Sequence, residues 1–336
     1  MALELSKSKR YRSVSWLKCL ACLLIINTHI PSLYPAKLSF LAFGGFFGNC
    51  IFFLVSGFCL ARPKGKFIGW YVHRFVRIYL PYILFLPILF LAGSLRDLTW
   101  FQILLPYVNY HFLPSILLIY PIFYFLAWLD HSDKKIKIKT EWQILFLLVI
   151  QLLQYFLFFD YEKLSPLQHF SFPETTAYAI VMLVGAYFSR IMEHICKNRK
   201  KITVVSSIVV ILTLVIYVYQ SFRPFGSVWK ILQIYVGIVF SVALSLIFLS
   251  NENKLSEIGI VNLVSSVTLE SYLVQFISRD ACKTLPFPVG LIYHVICTIA
   301  VAYCLHTVST FVLGLFKKRK KADIHITVNC GNDPAQ

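Results

Sequence analysis

Charge is what this chain lacks. Only 14% of its 336 residues are charged, against 58% hydrophobic, and the mean hydropathy is +0.71. A water-soluble chain of this length needs far more charge to cover its surface, so the composition excludes a soluble globular protein and implies a polytopic membrane protein. Cysteine is scattered: there are nine, with no Cys/His cluster at zinc spacing, so no metal site is expected. Most of the nine read as small apolar residues within spans, although Cys50 and Cys282 fall near one membrane face and could pair. There is no Walker sequence and no Gly-x-Gly-x-x-Gly, which leaves ATP-driven transport and dinucleotide chemistry without support. No internal repeat is visible. No small-residue cleavage site follows the first apolar segment, so that segment is expected to stay as an anchor. The expected organisation is one integral membrane domain over 1–336, with a helical core at about 13–315.

Long apolar runs are what the chain has. Ten spans are expected, at about 13–33, 41–61, 76–94, 112–129, 142–159, 174–191, 203–220, 229–249, 258–279 and 289–315, each close to the roughly 20 residues that cross a bilayer core. The fold class is therefore all-α, a transmembrane helical bundle. The formal charge of +17 would suit nucleic acid, but its placement favours topology. With the N-terminus in the cytoplasm, 24 of the 32 Lys and Arg residues fall in cytoplasmic segments, seven fall in outer ones, and Lys18 lies within the first span. That bias puts both termini inside and makes the bilayer, not nucleic acid, the partner of the basic segments.

The segment Arg12–His29 carries the first chemical signal. It is nearly all apolar, yet holds Lys18 near its start and His29 near its end. Ionisable groups inside a span are costly and so are functional candidates. Eleven residues at 100° each make three turns plus about 20°, so a helix puts both on one face, with a rise of roughly 16 Å between them. Ile30-Pro31 should end that helix. Arg74 and Arg77, three apart, project from one helix face and offer the planar donor forks that suit phosphate. Snorkelling to headgroups is the competing explanation. Pro81 follows and is expected to kink the chain, while Pro114 and Pro121 interrupt the fourth span. Gly44, Gly45, Gly48 and Gly57 in the second span permit close helix approach, and Ser56 stands beside the last of them. Glu270, near the middle of the ninth span, either packs against the neighbouring hydroxyls, or orients His29 or lines an acceptor path. His169, in the loop before the sixth span, could meet an acceptor, although a solvated loop explains it as well.

Taken in order, these residues resemble the membrane-bound acyltransferase-3 family. Lys18 and His29 are similar to its first-helix basic-residue-then-His pattern. Phe52-Phe53-Leu54-Val55-Ser56-Gly57-Phe58 resembles its FFxxSGF signature. Arg74-Phe75-Val76-Arg77 resembles its RxxR motif before the third span, and His111-Phe112-Leu113-Pro114 its segment before the fourth. Two positions depart from the pattern: Ser15 stands where an Asp is frequent, and Tyr272-Leu273-Val274-Gln275 ends in Gln rather than His. The resemblance implies a multi-pass enzyme of the cell (inner) membrane, an O-acyltransferase. Acetyl-CoA, or another acyl-CoA, would be the donor, and a hydroxyl of an extracytoplasmic glycan or lipid-linked saccharide the acceptor. Lys18, Arg74 and Arg77 would hold the CoA phosphates, and His29 would be the catalytic base or the acylated nucleophile. Glu270 and Ser56 would support the acceptor side or the site. A flippase or exporter of a lipid-linked saccharide is the alternative with the same composition.

Overall fold

A computed structural model of the protein describes residues 11–93, 95–96, 98–104, 112–131, 138–160, 165–166, 172–221 and 227–330. His111 and His169 lie outside the described residues. The helices are α1 (Arg12–Thr28), α2 (Gly45–Leu60), α3 (Phe67–Leu91), α4 (Trp100–Leu104), α5 (Phe112–His131), α6 (Thr140–Phe158) and α7 (Phe172–Arg190). There follow α8 (Met192–Lys197), α9 (Arg199–Ser221), α10 (Ser227–Ser250), α11 (Gly259–Ser266), α12 (Thr268–Cys282) and α13 (Val289–Cys330). Among the described residues the β-structure is a two-residue antiparallel pairing, Phe159–Asp160 with Ser165–Pro166.

Each of the ten expected spans is helical. Among the described residues seven stretches, not ten, are long and apolar enough to cross a bilayer, and α11 with α12 makes an eighth if that pair, bent by 74°, is one span. The bend has a local cause. The hydroxyls of Ser265, Ser266 and Thr268 turn back onto the carbonyls of Asn262, Leu263 and Val264, which competes with the helical ladder around Val267. Glu270 is therefore not midway along a straight span. It lies in the first turn of α12, where the helix dipole favours a carboxylate.

Two other boundaries differ from expectation. α1 stops at Thr28, five residues short of 33, because Pro31 disfavours helical geometry just before it. The Asn27 side chain also donates to the carbonyls of Leu41 and Phe43, at 2.7 and 2.9 Å. α3 starts at Phe67 and runs through Pro81 and Pro87, so Arg74 and Arg77 lie inside it rather than ahead of it. In α5, Pro121 cannot donate to Leu117 O, and the Tyr71 hydroxyl of α3 donates to that carbonyl instead, at 3.2 Å.

α1 is the inner helix of the bundle, packed on α2, α10, α11 and α12. Leu17, Ala21, Cys22, Ile25 and Ile26 are all buried. The apolar side chains of α9, such as Val204, Ile208, Ile211 and Val215, face outward, as suits a lipid-facing helix. Between lipid-embedded helices the hydrophobic effect drives little association, so backbone proximity matters more. Glycine supplies it. A Cβ on Gly57 would stand 1.8 Å from Met182 O of α7, and one on Gly185 would stand 1.9 Å from Leu54 O of α2. Gly48 meets Ala21 O of α1 at 2.7 Å in the same way. The N-terminus of α1 is capped from far along the chain: Arg12 N and Ser13 N each donate to the Glu252 carboxylate at 2.8 Å. Cys50 and Cys282 do not pair; both are free thiols, one packed in the main core and the other beside Ile30 and Leu33.

Candidate active site

At the C-terminal end of α1, His29 is the residue that closes the helix, half-buried rather than lodged in mid-helix. The following segment is lashed down by Asn27, whose Oδ1 also accepts from the Tyr34 hydroxyl at 2.6 Å. This fixes the backbone that carries His29. The imidazole packs on Phe276 of α12 in a T-shaped arrangement, with ring centroids 5.0 Å apart and planes at 67°. One turn further along α12, the Arg279 guanidinium lies 5.8 Å from the same Phe276 ring. Arg279 acts electrostatically on His29 and on His294, a wholly buried histidine of α13. Three elements thus bring two imidazoles and one guanidinium to one place.

At the other end of α1, the cations meet around Cys59 and Tyr120. Cys59, near the end of α2, feels both Lys18 and Arg74. Tyr120 of α5 feels Arg74 and Arg77 and shares a side-chain hydrogen bond with Ser56. Arg74 packs over Trp70, its guanidinium carbon 5.4 Å from the ring, and Trp70 in turn contacts Tyr120 at 5.8 Å between centroids. Arg74 Nε is buried and makes no hydrogen bond among the described residues. A buried donor left so costs free energy that an acceptor would recover. Arg77 is exposed. Beside this cluster lies a cavity of about 420 Å³, whose wall includes Cys59, Arg62, Lys64, Asp130, Thr140 and Arg190. Arg190 pairs with Asp130, and both bond Thr140 Oγ1, tying together the ends of α5, α6 and α7.

Between the two ends, the α1 stripe passes Cys22, which meets Ser271 and Glu270 of α12. α1 and α12 run in the same direction, since Cys22 faces Glu270 and His29 faces Phe276. Glu270 does not touch His29. Its Oε1 is 2.8 Å from His306 Nδ1 of α13, and six residues separate it from Phe276, roughly 9 Å along the helix.

Comparison with known families supplies what geometry alone leaves open. The acyltransferase-3 model, described as an acyltransferase domain, matches residues 11–316. The chain belongs to this family. No curated protein and no solved structure matches it. As an acyltransferase-3 member with several apolar helices, it is a multi-pass membrane acyltransferase.

The motif segments of this acyltransferase converge in three dimensions. Phe52 and Phe53 of α2 pack against Phe112 of α5, with ring centroids 5.0 and 5.2 Å apart, and Phe112 packs on Tyr272 of α12 at 5.1 Å. Phe112 N donates to the Tyr272 hydroxyl oxygen. In FFxxSGF the two aromatics therefore build a junction between helices, Ser56 reaches Tyr120, and Gly57 admits α7. Gln275 is buried, with its amide nitrogen on Tyr272 O at 3.1 Å.

Of the residues expected from sequence, Lys18, Ser56, Arg74 and Arg77 come to one cluster, His29 lies at the other end of the helix, and Glu270 is between. Sequence reasoning missed Tyr120, Arg279, His294 and His306. The two histidines could have been found, because each is an ionisable group within an apolar span, the same signal that picked out Lys18 and His29. Arg279 reads from sequence as one more loop cation. Tyr120 carries no sequence signal among 19 tyrosines.

Proposed function

We propose that this acyltransferase moves an acetyl or other short acyl group from cytoplasmic acyl-CoA to a hydroxyl of an extracytoplasmic glycan or lipid-linked saccharide, within the cell (inner) membrane. The observation that carries this reading is the separation of two chemistries along α1, a phosphate-suited cation cluster at Lys18 and an imidazole at His29. Lys18, Arg74 and Arg77 would hold the CoA phosphates, with the buried Arg74 Nε as an unused donor. The adjoining cavity of about 420 Å³, rimmed by Arg62 and Lys64, has room for part of the nucleotide. The pantetheine arm would follow the α1 stripe over roughly 16 Å to bring the thioester to His29. There His29 would accept the proton of the attacking hydroxyl and return it to the departing thiolate, the role neutral imidazole fills near working pH. An acyl-imidazole intermediate is the competing route.

The test is transfer of labelled acetyl from acetyl-CoA in membrane vesicles that carry the chain and host glycans, with His29→Ala beside the wild type. Label in an alkali-labile glycan ester, lost in the variant, supports the reaction and the base together. Wild-type transfer that survives His29→Ala in a folded protein removes His29 from the chemistry. No label with either protein, acceptors being present, removes acetyl as the acyl group.

A further inference from the structure

Arg279 has no part in the mechanism so far, yet it is the cation nearest the proposed chemistry. The sequence places it one turn beyond Phe276, and α12 runs parallel to α1, so its guanidinium comes to the same ring that His29 contacts. The Phe276 face partly compensates the charge. Phe276 is thus shared by an imidazole at 5.0 Å and a guanidinium at 5.8 Å, both measured to its ring. His294 flanks Arg279 from α13.

We propose that Arg279 binds the acyl carbonyl oxygen and holds the negative charge that develops on it during transfer at His29. The inference rests on the acyl-transfer reading and names a residue which that reading does not require. In the step concerned, the acceptor hydroxyl oxygen bonds to the thioester carbonyl carbon. The carbonyl π pair moves onto oxygen, and His29 takes the hydroxyl proton. The oxyanion then re-forms the carbonyl, the C–S bond breaks, and the thiolate leaves with the proton from His29, giving ester and CoA thiol. If His29 is instead acylated first, each half-reaction passes through a similar oxyanion, so the demand for a cation is the same. Arginine suits that demand: it stays charged in apolar surroundings and offers several fixed donors. Donors aimed at the place where charge develops act on the transition state more than on the bound substrate.

The experiment compares Arg279→Gln, Arg279→Lys and Arg279→Ala with wild type in the vesicle assay, with His29→Ala as the blank and folded protein quantified for each. Arg279→Gln should lower kcat by about 100-fold or more, with KM for acetyl-CoA nearly unchanged, and Arg279→Lys should keep a measurable part of the rate. Added guanidinium ion should restore transfer to Arg279→Ala and not to His29→Ala, which a purely structural arginine would not allow. Wild-type kcat in Arg279→Gln overturns the proposal, as does a raised KM at unchanged kcat. A folded Arg279→Ala that guanidinium leaves inactive, with Arg279→Lys no better than Arg279→Gln, also overturns it. Absence of transfer in the wild type with acetyl-CoA and with other acyl-CoA donors alike would remove the acyl-transfer reading itself, a result distinct from all of these.

Discussion

The two ends of α1 are built to different plans. At the Lys18 end, charged side chains gather from α1 and α3, with α2 and α5 supplying Ser56, Cys59 and Tyr120, and the cluster adjoins a cavity with Arg77 exposed. At the His29 end the groups are fewer and more enclosed: an imidazole, an aromatic ring, one guanidinium and a wholly buried histidine from α1, α12 and α13. The first arrangement suits recognition of a large polyanion that must arrive from water and leave again. The second suits chemistry, because electrostatic effects gain strength where water is scarce. One helix joins them, and its ends are held separately, by Glu252 at one and Asn27 at the other.

This contrast makes the kinetic signatures of the two ends different. The largest effect is expected from His29→Ala, with kcat down by about 1,000-fold, the usual scale for losing a general base, and acyl-CoA affinity retained. Steady-state kinetics beside direct acyl-CoA binding separates the two quantities, and loss of affinity without loss of kcat would collapse the distinction between the ends. Arg74→Ala should do the reverse. It removes a half-buried, charge-assisted contact, so KM for acyl-CoA should rise by about 10-fold while kcat stays near wild type. Arg77→Ala should act in the same sense and less, because Arg77 is exposed and screened. If Arg77→Ala proves the more damaging, the cluster is organised around Arg77.

A fourth substitution tests whether the ends are mechanically joined. Gly57→Leu would drive a side chain into the α7 backbone, where even a Cβ stands 1.8 Å from Met182 O. The expected result is loss of folded protein in detergent by size-exclusion chromatography, affecting both ends together. The smallest effect should come from Glu252→Gln, which weakens the cap on α1 by about 1 kcal/mol. Thermal unfolding in detergent should fall slightly, with kinetics unchanged at permissive temperature.

Much of this architecture was legible in the chain. Apolar run length alone marked the ten helical segments, because backbone groups in hydrocarbon must bond internally and helices of about 20 residues are the available solution. Lys18, His29, Arg74 and Arg77 stood out because charge is rare in such runs. What could not be read were details set by competition between neighbours. The break at Val267 arises where three hydroxyls compete with the helix ladder, and the same hydroxyl-rich string reads equally well as a straight polar stripe. From span position alone Glu270 read equally well as packed on neighbouring hydroxyls or as orienting His29 or lining an acceptor path. Its partner proved to be His306, 36 residues away, because α12 and α13 pack antiparallel.

The sequence by itself determined a multi-pass helical membrane protein with a cation and an imidazole on one face of its first helix, since both follow from local composition and the 100° helical step. Tertiary structure alone decided which groups those two residues meet. Tyr120 and Cys59 gather beside the cations, and Phe276, Arg279 and His294 around the imidazole, because helix direction, glycine-mediated approach and side-chain reach depend on contacts between segments far apart in the chain, such as α1 with α12 and α13. Periodicity within any one segment carries no record of its neighbours.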